Sequence, residues 1–236
     1  MLHYYPVTDS TNDDARRLAL GGAPERTIVL ADEQRAGRGR LGRRWIAPRG
    51  SSLLLSIIFE RSVPSVALTA LCAVAIVDAI QVVAGLQARI KWPNDVMIDA
   101  KKVCGVLTEV LSRDERTLTA VGVGLNVNLD PASAGLPPTA TSLSAETGRP
   151  LDRSVILDAV LRNIDSSLVL DDQALESSVR GRWGELLWRR WQAVRVDQDG
   201  PTLYGVIEGL SPSGALQLRA PNGELLHVAV GDVGLI

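Results

Sequence analysis

Gly37-Arg38-Gly39-Arg40-Leu41-Gly42-Arg43-Arg44-Trp45 is the stretch on which the choice of fold turns. Its first six residues match GxGxxG, the glycine turn that opens a helix beneath a dinucleotide, and taken alone they suggest a doubly wound nucleotide-binding fold. The flanks reject that reading. Pro48 and Gly50 follow instead of a helix, and the next element, Ser52 to Phe59, is an aliphatic run of strand length, as is Thr27 to Ala31 on the other side. The segment is a strand-to-strand loop.

Arg35, Arg38, Arg40, Arg43, Arg44 and Arg49 crowd into this region, and residues 35–50 contain no acidic side chain. Guanidinium groups donate fixed, paired hydrogen bonds to phosphate and carboxylate, while interleaved glycines permit close backbone approach and hinge motion. The loop is therefore a candidate anion site that could order on its ligand. A solvated basic loop is the plainer alternative. Binding of single-stranded nucleic acid would want several aromatic platforms, and the loop offers Trp45 alone in a chain that is 4% aromatic.

Outward from the loop, Asp13 to Leu20 has helical composition, with Asp9-Ser10-Thr11-Asn12 as cap residues before it and Gly21-Gly22 as a stop. Val66 to Val83 is long and apolar but interrupted by Thr69, Asp78 and Gln81, and it reads as a buried core helix rather than a membrane span. Ala88 to Trp92, Asp95 to Ile98, Lys102 to Val110 and Leu118 to Asn128 suggest a sheet. Asp130 to Thr141 reads as an irregular surface segment, Asp152 to Leu170 as a helix, and a further helix follows through Trp191. From Ala193 short strands alternate with turns such as Pro221-Asn222-Gly223, the texture of a small barrel. The division is a larger N-terminal region, 1–190, and a small C-terminal domain, 191–236.

With 46% hydrophobic and 22% charged residues, the 236-residue chain has ordinary globular composition. A net charge of −2 gives no global basic field for duplex nucleic acid, so phosphate chemistry must rest on local clusters. Cys72 and Cys104 lack CxxC spacing and the two histidines, His3 and His227, stand at opposite ends, so neither a zinc site nor a disulfide scaffold is credible. Nothing in MLHYYPVTDSTNDD resembles a signal peptide, and the expected location is cytoplasmic.

Two further segments carry chemistry. Lys91-Trp92-Pro93-Asn94-Asp95 ends one strand, and turn chemistry explains Pro93-Asn94-Asp95 adequately. Lys102 opens an otherwise apolar strand, with Gly105 leaving space beside it, and needs an anionic partner, either a ligand or a structural carboxylate. Cys104 reads as core. Val121-Gly122-Val123-Gly124-Leu125-Asn126-Val127-Asn128 is a strand whose two asparagine amides face one side and could floor a pocket.

Taken together and in order, Ser10-Thr11-Asn12, Gln34, Gly37 to Trp45, Lys91 to Asp95, Lys102 to Gly105 and Gly122 to Asn128 resemble the biotin protein ligase family. The arginine-glycine loop and the Lys-Trp-Pro-Asn-Asp block are the specific parts. The resemblance implies an α+β fold: a mixed β-sheet flanked by helices, of the class II synthetase-like kind shared with lipoate ligases, followed by a small SH3-like C-terminal β-barrel. It also implies two half-reactions. Biotin attacks the α-phosphate of ATP, with Mg2+ accompanying the nucleotide, and the biotinyl-adenylate is then attacked by a lysine of a biotin carboxyl carrier protein. With nine residues before Ser10, the expectation is a monofunctional member without the DNA-binding domain, with neither DNA nor a membrane as partner.

Matched residue by residue, the resemblance assigns biotin to Ser10, Thr11, Asn12, Gln34, Arg38, Gly39, Arg40, Lys102, Gly105 and Gly122. ATP falls to Arg38, Arg40, Arg43, Lys91, Asn94, Asp95, Lys102 and Asn126, with Mg2+ near Asn94 and Asp95. Lys102, Arg38 and Arg40 are the expected catalytic residues, Lys102 as a fixed cation beside the reacting carboxyl and α-phosphate. Hydroxyl and amide partners such as Ser10, Thr11 and Gln34 suit the neutral ureido head of biotin, although helix capping explains Ser10 and Thr11 as well. The adenine pocket matches no sharp motif. A lipoate or other acyl-carrier ligase is the nearest rival, and a non-enzymatic binding module leaves Lys91 to Asp95 and Lys102 unexplained.

Overall fold

The computed structural model describes residues 1–236. A seven-stranded sheet is built from β1 (Leu2–Tyr5), β2 (Ile28–Ala31), β3 (Ser52–Phe59), β4 (Ala88–Lys91), β5 (Asp95–Ile98), β6 (Lys101–Arg113) and β7 (Arg116–Asn126), in the order β1-β2-β3-β7-β6-β5-β4. The β1–β2 pair is parallel and the others antiparallel, so the sheet is mixed as expected. Lys91 pairs with Asp95 across the tight turn between β4 and β5, and Gly105 pairs with Gly124 across β6 and β7.

Side-chain alternation sorts the two faces of the sheet. Leu53, Leu55, Ile57 and Phe59 of β3 belong to the main core under α2 (Ser65–Ala84) and α4 (Arg153–Leu168), with α5 (Asp172–Leu186) packed against α2. On the opposite face Ile58 joins Val29, Leu118 and Ala120 beneath Ala15 and Ala19 of α1 (Thr11–Leu20). Helix α2 is long and apolar enough to cross a membrane, but its surface is spent on the sheet, α4 and α5. It ends at Gly85, whose φ of 69° is a left-handed stop that favours glycine. Side-chain caps start the later helices: Ser142 for the short α3 (Leu143–Thr147), Asp152 for α4 and Asp171 for α5.

The chain leaves α5 at Leu186, short of the expected Trp191. Leu187 instead bridges Ile90, and the Trp188 amide donates to the Ile90 carbonyl at 2.8 Å, so the chain annexes the open edge of β4. Strands β8 (Ala193–Asp197), β9 (Leu203–Leu210), β10 (Leu216–Arg219), β11 (Leu225–Val228) and β12 (Asp232–Gly234) then form an antiparallel sheet, ordered β11-β10-β9-β8-β12, of the SH3-like kind. Its Val194, Val196, Ile207, Leu216, Leu218, Val228 and Val233 merge into the main core. Buried Trp92 donates its Nε1 to the Gly214 carbonyl at 3.1 Å, pinning the Lys91–Asp95 turn to this C-terminal unit.

Candidate active site

The cleft lies on the α1 face of the sheet. The strand period sets its floor: Gly122, Gly124 and Asn126 of β7 and Gly105 and Leu107 of β6 all line it. Its volume is about 1080 Å³, open mouth included. Each floor glycine has a tenant. A side chain at Gly122 would overlap the Asn12 amide, one at Gly124 the Trp45 ring, and one at Gly105 would press on both Trp45 and the Lys102 chain at 3.1–3.3 Å.

The N-terminus of α1 builds one end of the cleft. Ser10 occupies the cap position but makes no side-chain cap bond, so the capping explanation is not the one realised, and the residue lines the cleft. Gln34 supplies that function from a distance: its Oε1 accepts from the Thr11 amide at 2.8 Å and the Thr11 hydroxyl at 3.0 Å. Buried Ser56 lies 2.8 Å from the Thr11 hydroxyl and 2.6 Å from Asn12 Oδ1, and Asn12 Nδ2 donates to the Leu107 carbonyl at 3.2 Å. Hydroxyls and amides with no net charge are thereby fixed in place.

The middle and far end carry charge. Lys102 Nζ lies 2.6 Å from Asp95 Oδ1 and 5.5 Å from the Trp45 ring centre. Asn94 ties the turn to β6, donating to the Val106 carbonyl at 2.8 Å, while its Oδ1 accepts from Arg40 at 3.1 Å. Asn126 donates to the Thr141 carbonyl at 2.9 Å, but its buried Oδ1 has no hydrogen-bond partner, nor has Trp45 Nε1. Leu136, Pro137 and Ala140 close this end, where the 137–141 segment bonds both sides of the Lys102 backbone.

The loop above is a small hairpin. The Gly39 amide donates to the Arg43 carbonyl and the Trp45 amide to the Gly37 carbonyl, while Leu41 at the tip is 77% exposed. Arg43 donates to Asp232 of the C-terminal unit at 2.8 Å. Burial pushes the Asp232 carboxyl up, yet Lys91, Arg43 and Arg40 together outweigh it and hold the group below its usual range.

All but one of the residues assigned from sequence line this cleft. Lys91 does not: its ammonium turns to Asp232, 3.6 Å away, at the joint between the two units. Arg38 lines the cleft, but its guanidinium forks onto Asp13 at 2.6 and 2.7 Å and touches Glu109 at 3.0 Å. The Asp13 bond above all raises its pKa further, against the cost of burial and with help from Glu109. Asn128 lies beyond the end of β7 and clasps Leu151, so only Asn126 of the pair faces the cleft. Cys104 is fully buried and burial pushes its thiol well up, so it is core and not a nucleophile. Sequence reasoning passed over Trp45 as a wall, Asp232, and the Leu136–Ala140 segment. The glycines paired at 105 and 124 were the available signal for Trp45.

Asp95 is the carboxylate beside the cleft's central cation, and no group of three potential metal-ligating acidic, histidine or cysteine side chains exists. A single carboxylate there would suit a Mg2+ carried on nucleotide phosphates. Asn94, the other residue expected near it, has both amide ends engaged.

The chain is similar to known proteins over nearly its whole length. The model of the biotin/lipoate A/B protein ligase family matches residues 4–128, and that of the biotin protein ligase C-terminal domain matches residues 192–235. The chain is 35% identical to the bifunctional ligase/repressor BirA of Bacillus subtilis over 94% of its own length and 70% of that protein. It is also 35% identical to the biotin–[acetyl-CoA-carboxylase] ligase of Paracoccus denitrificans, over 92% and 93% of the two chains. Biotin protein ligase from Aquifex aeolicus in complex with biotin and ATP superposes with a TM-score of 0.81 at 28% identity, covering 99% and 97% of the chains. A mutant of that enzyme in complex with biotin gives 0.84 at 27% identity, covering 100% and 98%. The chain belongs to the biotin/lipoate A/B protein ligase family and ends in that family's biotin protein ligase C-terminal domain.

Proposed function

We propose that this chain is an ATP-dependent biotin protein ligase whose cleft forms biotinyl-5'-AMP and passes the biotinyl group to a lysine of a biotin carboxyl carrier protein. The observation that carries the reading is the gradient along the cleft floor. From Gly122, beside the uncharged Thr11–Asn12–Gln34 network, to Asn126, beside the Leu136–Ala140 segment, is four residues, about 13 Å at strand spacing. Lys102 and Trp45 stand between the two ends, over Gly105 and Gly124. A neutral polar head, a carboxyl beside a cation and a nucleotide beyond it fit that order.

In the first step a biotin carboxylate oxygen bonds to the α-phosphorus of ATP and the bond to pyrophosphate breaks. Lys102, held by Asp95, offers a fixed positive charge to the phosphoryl oxygens as negative charge grows there, and Arg40 adds a second cation. Magnesium carried on the nucleotide, with Asp95 beside it, would offset charge on the departing phosphates. The unpaired Asn126 Oδ1 is an acceptor suited to the exocyclic amine of adenine. In the second step a neutral carrier lysine attacks the acyl carbon, the amide forms, AMP leaves and the amine sheds a proton.

A lipoate ligase on the same fold would perform the same chemistry. The uncharged polar end favours biotin, whose ureido carbonyl and N–H groups can bond to its hydroxyls and amides, whereas a dithiolane ring offers them no such group. Exchange of labelled pyrophosphate into ATP, with biotin, lipoate or octanoate supplied separately, tests the reading. Biotin alone should stimulate exchange; stimulation by lipoate alone would overturn the choice of acid.

A further inference from the structure

Arg38 and its two carboxylates are not absorbed by the mechanism above. Asp13 stands in the first turn of α1 and grips Arg38 with both oxygens, at 2.6 and 2.7 Å. Glu109, two positions along β6 from the cleft-lining Leu107 and so on the same face, reaches the same guanidinium at 3.0 Å. Two carboxylates against one guanidinium leave the cluster net negative. Arg38 therefore has no spare positive charge for a phosphate or carboxylate, unlike Arg40, whose partner Asn94 is neutral.

What the cluster does hold is the loop. The tip around Leu41 has no apolar anchorage and takes a left-handed turn, φ 56°. Apart from the Trp45 ring, closure rests on polar fastenings: Arg38 at one flank, Arg40 to Asn94, and Arg43 to Asp232 at the other. Arg38 carries the largest share, with a bidentate and a third charge-assisted bond on one group. All three partners are partly exposed, so the fastening is screened by salt and can open within a catalytic cycle.

We propose that Asp13 and Glu109 are positioning residues that form an acidic catch for Arg38, keeping the Gly37–Trp45 loop closed and setting how long the acyl-adenylate stays bound. The inference rests on the ligase reading and adds to it a device against loss of the activated acid to water or to stray amines.

The test uses the full chain. Biotinyl-AMP is formed in place from biotin and labelled ATP, free ligand is removed, and its escape is followed over time, with pyrophosphate exchange measured in parallel. The Asp13→Asn/Glu109→Gln double variant should release adenylate about tenfold faster while still exchanging pyrophosphate. Release from the unmodified chain should quicken with added salt, and release from the double variant should depend on salt less, since only Arg43–Asp232 is left of the loop's ion pairs. Asp13→Glu in place of Asp13→Asn should restore slow release. Adding Arg38→Ala to the double variant should quicken release no further, since the catch is already gone. Release at the unmodified rate by the double variant, with exchange intact, overturns the catch. Absence of biotin-dependent exchange in the unmodified chain instead overturns the ligase reading, and the catch with it.

Discussion

Asn126 shows how much a single residue can reveal and how little of that is legible beforehand. Its place on a glycine-rich strand was readable from the two-residue period, but the unpaired Oδ1 became visible only once Thr141 was seen to accept the other end of the amide. An acceptor left unmade in the free protein and filled by ATP is worth about 1 to 2 kcal/mol. Asn126→Ala should therefore raise the KM for ATP roughly tenfold in steady-state exchange assays with little change in the KM for biotin. Equal effects on both substrates would remove Asn126 from the adenine end. Lys102 was legible as a cation needing a partner, and the structure supplies Asp95 for the free state. Arg38 was legible as a residue of the cleft, but its pairing with Asp13 and Glu109 was not. Its partners lie 25 and 71 positions away, on a helix and a strand whose approach no local pattern announces.

At the scale of elements, the site is a property of β6, β7 and the start of α1. Their places were readable from composition, although β6 runs on to Arg113, beyond the expected Val110, and β7 ends at Asn126, short of Asn128. The elements that escaped were those whose stability comes from neighbours. Four-residue β1 forms only by pairing with β2, and three-residue β12 only by pairing with β8. Helix α5 stops early because the edge of β4 competes for the following chain. The glycine floor carries its own prediction. Gly122→Ala places a methyl group where the Asn12 amide sits, and Asn12 is held by Ser56 and the Leu107 carbonyl, so it cannot give way freely. Biotin affinity measured by calorimetry should fall at least tenfold, about 1.4 kcal/mol, with the fold retained. Unchanged affinity would show that the Asn12 network is not the biotin end.

For the whole molecule, the two sheets share one apolar core, and Trp92 is bonded across their joint. A composition change near residue 190 suggested a boundary, but nothing in it announced this fusion, which depends on which faces meet. Calorimetry of the intact chain should give one cooperative unfolding transition, and two separated transitions would contradict a shared core. Asp232 adds a pH signature. Its folded pKa lies below the ordinary value of 3.8, so the stabilisation it brings is fully present above that value and is lost as pH falls through the depressed folded value. The stability difference between the unmodified chain and Asp232→Asn should hold constant from neutral pH to about 5 and shrink only in stronger acid. A difference that shrank near neutrality would point to another group.

The central claim is that this one cleft activates biotin on a charge held by Lys102. Mass-spectrometric detection of biotinyl-AMP after incubation with biotin, ATP and Mg2+ addresses it directly, comparing the unmodified chain with Lys102→Ala. The account predicts abundant adenylate from the unmodified chain and a loss of about 100-fold or more in its rate of formation by the variant, with carrier binding much less affected. Adenylate formed by Lys102→Ala at close to the unmodified rate would contradict it.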